Sequence, residues 1–171
     1  IITSSLGGFG SFFSSSLVNI SINTSFSVIH MPGYAHQIVI NAPAAKFFET
    51  IDFGTDRSID GPARAVGTSR TILLGKGSNA PKIVEMQVAR EVTPTKMSYA
   101  YVITNEESNP FMVKGYRADV TVFTDSTDQN RCFCTWIAQW DTANEGIAAL
   151  PGLILEGMKQ GEKLASGKSG L

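Results

Sequence analysis

The sequence predicts an α+β domain in which an antiparallel sheet is followed by one long C-terminal helix. Three observations point there. Residues 112–123 and 131–141 alternate apolar and polar with a period of two, the pattern of strands with one buried and one wet face. Five strand-like runs, "RTILLG", "KIVEMQVAREV", "KMSYAYVIT", "MVKGYRADVTVFT" and "RCFCTWIAQWD", succeed one another with only short polar or glycine-rich breaks. After residue 141 the apolar residues switch to helical spacing.

Taken in order, "AHQIVINAPAAKFFETI" reads as a strand ending near Asn41 and then a helix, with Asn41 and Pro43 marking its start. Ala44, Phe47, Phe48 and Ile51 give that helix an apolar face. The stretch "DFGTDRSIDGPARAVG" carries turn formers without periodicity and reads as loop with a short helical turn. In residues 112–123, Met112, Tyr116, Ala118, Val120 and Val122 share one face, Lys114 being the exception, while Arg117, Asp119 and Thr121 share the other. In residues 131–141, Cys132, Cys134, Trp136, Ala138 and Trp140 face in, against Arg131, Thr135, Gln139 and Asp141. In the closing helix Thr142 to Glu145 fits a capping box, and Ile147, Leu150, Ile154, Met158 and Leu164 recur at helical intervals. Pro151 marks a kink or the true first turn, because it lacks a backbone donor, and Gly167 is the expected stop.

With 171 residues the chain fits a single core. Apolar residues make up 43% and charged ones 17%, so the bulk of it is globular. A net charge of −1 without a basic block removes the electrostatic footprint of a nucleic-acid binder, and none is expected as a partner. Residues 1–34 form an N-terminal arm or extra strands ahead of the domain at 35–171. The first thirty residues carry no aspartate, glutamate, lysine or arginine and are rich in serine, glycine and apolar residues. They lack the basic start of a secretory signal and hold too much serine for a membrane span. The start at Ile1 leads us to expect residues upstream. Such an uncharged surface suits a second copy of the chain, so a homodimer through this arm is one expectation. Sequons at Asn19 and Asn23 bear only on a secreted chain, and short sequons often arise by chance.

Gly75-Lys76-Gly77-Ser78 looks like a phosphate loop and fails as one. The position five before the Gly-Lys pair is Arg70, not glycine, and Gly77 stands where Ser or Thr is needed. A turn between two strands is the expected reading. The two cysteines, Cys132 and Cys134, are too close along one strand to bridge easily and read as small buried hydrophobes, with a cytoplasmic location favoured over secretion. Only His30 and His36 could join them around zinc. No nucleophile elbow, zinc-protease or dinucleotide motif occurs, so neither metal nor cofactor is expected.

Strand, helix, loop, a run of antiparallel strands and a long closing helix is an order that resembles the START-like helix-grip superfamily. "IVINAPAAKFFETI" is similar to its opening strand and aromatic-bearing helix, "VGTSRTILLGKG" to its glycine-x-x-arginine strand pair, "KIVEMQVAREVTPTKMSYAYVI" to its glutamate and serine–aromatic strands, and "GYRADVTVF" to its tyrosine–arginine strand. The likeness covers roughly residues 35 to 165. One departure is that "GTDRSIDGPARAVG" lacks the tryptophan that many relatives carry there. The resemblance implies a curved antiparallel sheet of about seven strands wrapped around the C-terminal helix, with an internal cavity. It further implies a small hydrophobic ligand, and an activity of the polyketide cyclase or dehydratase kind, the alternative being a non-catalytic carrier of lipid or hydrophobic metabolite.

Tyr99, Tyr101 and Ile103 share a strand face, and tyrosines and tryptophans bring polar tips that need partners when buried. The expected ligand contacts are therefore Tyr99, Tyr101, Ile103, Met112, Tyr116 and Ala118 on the earlier strands, then Trp136, Ala138 and Trp140, with Ile154 and Met158 on the helix. Tyr101, Tyr116, Arg70 and Glu85 are the candidate catalytic residues. A hairpin centred near Ser78 sets Arg70 almost opposite Met86 and so near Glu85. In the superfamily the matching pair often faces the cavity, as a buried acid–base pair. Alternation argues the other way, since Val84, Met86 and Val88 read as inward, which makes the pair a surface salt bridge.

Overall fold

The computed structural model describes residues 32–52, 59–77 and 79–167. Residues 1–31 of the N-terminal arm, with its two sequons, and Ser78 lie outside these residues. Seven strands form one curved antiparallel sheet in the order β1-β7-β6-β5-β4-β3-β2: β1 (Gly33–Ile40), β2 (Ile59–Asp60), β3 (Ser69–Leu73), β4 (Lys82–Val92), β5 (Lys96–Ile103), β6 (Arg117–Thr124) and β7 (Cys132–Gln139). Helix α1 (Ala44–Ile51) follows β1, and α2 (Leu150–Ala165) closes the chain. Neighbours in sequence are neighbours in space from β2 to β7, and β1 joins at the far edge by pairing with β7, Ile38 opposite Cys134.

Period-two burial carries the central strands as the sequence indicates. Ala118, Val120 and Val122 of β6 and Cys132, Cys134, Trp136 and Ala138 of β7 are buried, and Val120 pairs with Trp136 in register. Helix α1 buries Ala44, Phe47 and Phe48. Helix α2 starts later than the capping pattern indicates. Asn144 caps a short 3-10 turn, Glu145–Ala149, its side chain accepting from the Gly146 amide, and Pro151 then occupies the first turn of the α-helix. Gly167 ends it in the left-handed region at φ +69°.

Four expectations are corrected here. The loop after α1 contributes a short strand, β2, paired to β3 through Ile59 and Arg70. Leu164 is exposed, because the buried stripe of α2 runs through Leu150, Ile154, Met158, Gly161 and Ala165. Met112 lies in the loop before β6, exposed and with φ +45°, because the strand begins only at Arg117. In β4 the alternation is inverted: Ile83, Glu85 and Gln87 are buried, while Val84, Met86 and Val88 lie on the partly exposed outer face. A register shift between Gln87 and Ala89 changes the inward phase beyond them. Arg90 then reaches over the Phe48 ring and donates to Asp52 at 2.5 Å.

The two helices meet at Gly161. A β-carbon there would stand 2.7 Å from Thr50 Oγ1, 3.1 Å from Ile51 and 3.3 Å from Phe47. Thr50 cannot easily yield, since its hydroxyl donates to the Phe47 carbonyl at 2.7 Å. Earlier in the same helix, Gly152 and Gly157 have nothing within 4 Å of that position. Gly161→Ala is therefore expected to destabilise the fold by about 1–3 kcal/mol through overpacking, whereas Gly152→Ala should stabilise it by up to about 1 kcal/mol through helix propensity. Urea unfolding of the two variants beside the parent checks the opposite signs.

Candidate functional site: a cavity between the sheet and α2

Between the concave sheet face and the first half of α2 lies a cavity of about 380 Å³. The strand side supplies Ile72, Leu74, Ile83 and Ile103, and the helix side Leu150, Leu153, Ile154 and Gly157. Thr50 and Ile51 close the end nearest α1. Into this apolar chamber project two charged residues, Arg70 and Glu85, and three aromatic ones with polar tips, Tyr101, Tyr116 and Trp136.

Arg70 and Glu85 stand directly opposite each other on β3 and β4, one residue away from the register that a hairpin centred on Ser78 gives. The Arg70 Nε donates to Glu85 Oε2 at 2.7 Å, and both side chains are more than nine-tenths buried. This overturns the surface salt bridge that alternation suggests. A surface pair would rest on an outward Glu85, and here the inverted phase of β4 turns both partners inward. Burial alone penalises the guanidinium charge, but the Glu85 carboxylate opposes this, helped by the Tyr99 and Tyr101 hydroxyl groups, so Arg70 stays protonated throughout the accessible pH range. The guanidinium also sits 5.8 Å from the centre of the Tyr101 ring.

The tyrosine hydroxyls form a chain. Tyr116 Oη lies 3.5 Å from Tyr101 Oη and 3.5 Å from Tyr34 Oη. Burial raises all three above the ordinary phenol value, and the Glu85 carboxylate pushes each the same way. For Tyr116 this rise is opposed by hydrogen bonding from its two tyrosine neighbours and by the nearby Trp136 indole. All three phenols are therefore neutral at physiological pH and act as hydrogen-bond donors or weak acids, not bases. The loop that delivers Tyr116 is held by Asn109, whose Oδ1 accepts from the Phe111 and Val113 amides while its Nδ2 donates to the Asn105, Glu106 and Val113 carbonyls. Asn144 ties the same loop to the start of the 3-10 turn.

The structure thus brings together Arg70, Glu85, Tyr101, Ile103, Tyr116, Trp136 and Ile154 around one space. It does not bring in the others. Tyr99 is fully buried, with its hydroxyl donating to the Ile51 carbonyl at 2.7 Å. Ala118, Ala138, Trp140 and Met158 are core residues outside the lining, and Met112 is exposed in its loop. Sequence reasoning missed Ile72 and Leu74, which share a face with Arg70 and follow from it by alternation once Arg70 is known to point inward. It also placed Tyr34 in the arm, whereas β1 begins at Gly33 and carries Tyr34 to the hydroxyl chain. The link at Gly75 and Gly77 is a turn, closed by the Leu74 amide donating to the Pro81 carbonyl at 2.7 Å. Among the described residues no cluster of three His, Cys, Asp or Glu is placed to hold a metal, and no helix is long and apolar enough to cross a membrane.

No family model matches the sequence, and no curated protein matches it. Solved structures do. The protein XoxI from Bacillus cereus superposes with a TM-score of 0.60 at 16% identity, over 82% of this chain and 100% of that one. A protein from Nitrosospira multiformis gives 0.55 at 15% identity, over 79% and 94%. The Aha1 dimer from Colwellia psychrerythraea gives 0.52 at 12%, over 82% and 100%. What is shared is the fold. At these identities the likeness supports a helix-grip-like architecture and says nothing of ligand or reaction.

Removing Arg70 takes from the buried Glu85 carboxylate the guanidinium that it meets at 2.7 Å. Arg70→Met is expected to destabilise the protein by about 3–5 kcal/mol, and the double change Arg70→Met with Glu85→Leu to regain most of it. Denaturant midpoints of the three proteins check this. A second expectation concerns alkaline pH. Burial first, then Glu162 for Cys132 and Cys132 for Cys134, pushes both thiols up to about 12. The unfolded chain releases those protons near the ordinary thiol value of about 8.5, so the folded state binds more protons above it. Stability should be full below that value and decline as pH rises towards about 12. Replacing both cysteines by alanine should flatten the decline, as followed by urea midpoints at stepped alkaline pH.

Proposed function

We propose that the chain is a START-like protein that binds a small hydrophobic metabolite in this cavity and promotes its cyclisation, dehydration or a related rearrangement, in the manner of a polyketide cyclase. The observation that carries the reading is the convergence of one ion pair and a chain of tyrosine hydroxyls on an otherwise apolar chamber of about 380 Å³. Ligand sites commonly occupy about 300–1,000 Å³, mostly apolar with few polar groups. A reactive chain held in one folded conformer gains rate from positioning alone. Tyr101 and Tyr116, neutral and buried, are suited to donate a proton or hydrogen bond to a developing oxyanion. Glu85 is the one carboxylate among the described residues of the lining and the candidate acceptor, with Arg70 holding its orientation.

A carrier is the second reading, and one feature favours it. Arg70 and Glu85 are paired with each other and each tyrosine is a weaker acid than a free phenol, so the polar groups can recognise a ligand without transforming it. Native mass spectrometry of protein purified from its own source tests binding, since a co-purifying small mass reveals the ligand class. With that molecule in hand, Tyr101→Phe and Tyr116→Phe keep the ring packing and remove only the hydroxyl. Catalysis by proton transfer predicts a drop in turnover of about 100-fold or more for at least one of them. Full turnover in both, and in Glu85→Gln, would leave positioning or carriage as the whole function.

A further inference from the structure

We propose that the ligand presents a neutral carbonyl oxygen to the paired donors Trp136 Nε1 and Tyr116 Oη, and that the site selects ketones over both hydrocarbons and carboxylates. This rests on the cavity-binding reading above and names the chemistry that the cavity recognises.

The argument is an accounting of hydrogen-bond capacity. Trp136 lines the cavity and is 7% exposed, and its indole N–H has no hydrogen-bond partner. An indole nitrogen can only donate, and a buried donor without an acceptor is costly, so its natural complement is an acceptor inside the chamber. Tyr116 lines the same cavity, the Tyr101 ring centre standing 5.9 Å from that of Tyr116 and 6.0 Å from that of Trp136, and the indole N–H makes no hydrogen bond to the phenol. The two hydroxyl contacts of Tyr116 are both 3.5 Å, long beside the usual 2.7–2.8 Å for O–H···O. Its proton is therefore weakly engaged and can turn to a better acceptor. Two adjacent donors match the two lone pairs of one carbonyl oxygen.

Charge sets the second half of the proposal. The Arg70 cation, which would attract a carboxylate, already holds Glu85 at 2.7 Å, so the charges that the described residues bring to the lining cancel. The Glu85 carboxylate also disfavours negative charge at Tyr34, Tyr101 and Tyr116, the hydroxyl end of the chamber. A carboxylate there would lose its water and gain no free cation, whereas a ketone brings an acceptor without a charge to desolvate.

Three bicyclic probes of similar size separate these terms: α-tetralone, tetralin and 1-naphthoate, titrated calorimetrically at pH 8. The ketone should bind about tenfold or more tightly than the hydrocarbon and than the carboxylate. Trp136→Phe and Tyr116→Phe should each cut the ketone preference to below about threefold while tetralin affinity holds within about threefold, which a general packing defect would not do. Naphthoate binding as tightly as tetralone, tetralin matching tetralone in the parent protein, or a ketone preference that survives both variants would overturn the proposal and leave cavity binding standing. Failure of all three probes to bind would instead overturn the cavity-binding reading and this proposal with it.

Discussion

The close approach of the two helices at Gly161 is the constraint on which the cavity depends. Glycine lets α2 settle against Thr50, Ile51 and Phe47 of α1, and Glu162 then accepts from both the backbone amide and the side-chain amide of Asn41 at 2.8 and 2.9 Å. The C-terminal half of the helix is thereby fixed to the corner between β1 and α1. Its N-terminal half is fixed separately, through the 3-10 turn and the Asn144 bonds to the loop before β6. Anchored at both ends, α2 spans the concave sheet without descending onto it. Leu150, Leu153 and Ile154 face Ile72, Ile83 and Ile103 across a space that none of them fills.

That space makes the Arg70–Glu85 pair tolerable and useful. A charge in a dry core is costly, and two charges offset that cost only in good geometry. Here register delivers the geometry, since the partners face each other on adjacent strands. The pair therefore need not be a stabilising element in its own right. It places a compensated dipole at the wall of an apolar chamber, where Arg70 also borders the Tyr101 ring. The tyrosine chain extends the polar strip from Tyr101 through Tyr116 to the half-buried Tyr34 on the edge strand. Polar groups thus line one track across the cavity wall while the helix side stays apolar.

How much of this could be read from the sequence follows from which residues obey simple periodicity. β6 and β7 are legible because their inward residues are apolar and their outward ones polar. α1 is legible from Phe47 and Phe48 for the same reason. β4 is not, because its inward residues invert the code: Glu85 and Gln87 face in, and Val84, Met86 and Val88 face the partly exposed outer side. Alternation detects two faces and cannot say which is the inner one when the inner one is polar. The resemblance to START-like proteins, which sets the matching pair in the cavity, gave the better answer there. Met112 fails for a different reason, since a residue before a strand can extend its apolar pattern without joining the sheet. The shift in the α2 stripe from Leu164 to Gly161 and Ala165 reflects packing: the buried positions are small because α1 is close.

The inversion in β4 is itself informative. A polar residue on the concave face of a sheet is costly unless something meets it, and three such positions on β3 and β4 are answered differently. Arg70 and Glu85 answer each other. Gln87, fully buried one step along the same face, has neither its amide nitrogen nor its carbonyl oxygen hydrogen-bonded, yet it does not line the chamber. Its backbone is held between the Thr68 carbonyl and the Gly67 amide. A strand selected for stability alone would carry aliphatic side chains at positions 85 and 87, matching Ile83. The concave face of β4 keeps instead a gradient from apolar Ile83, through a compensated charge, to an uncompensated amide. Stability does not account for that order.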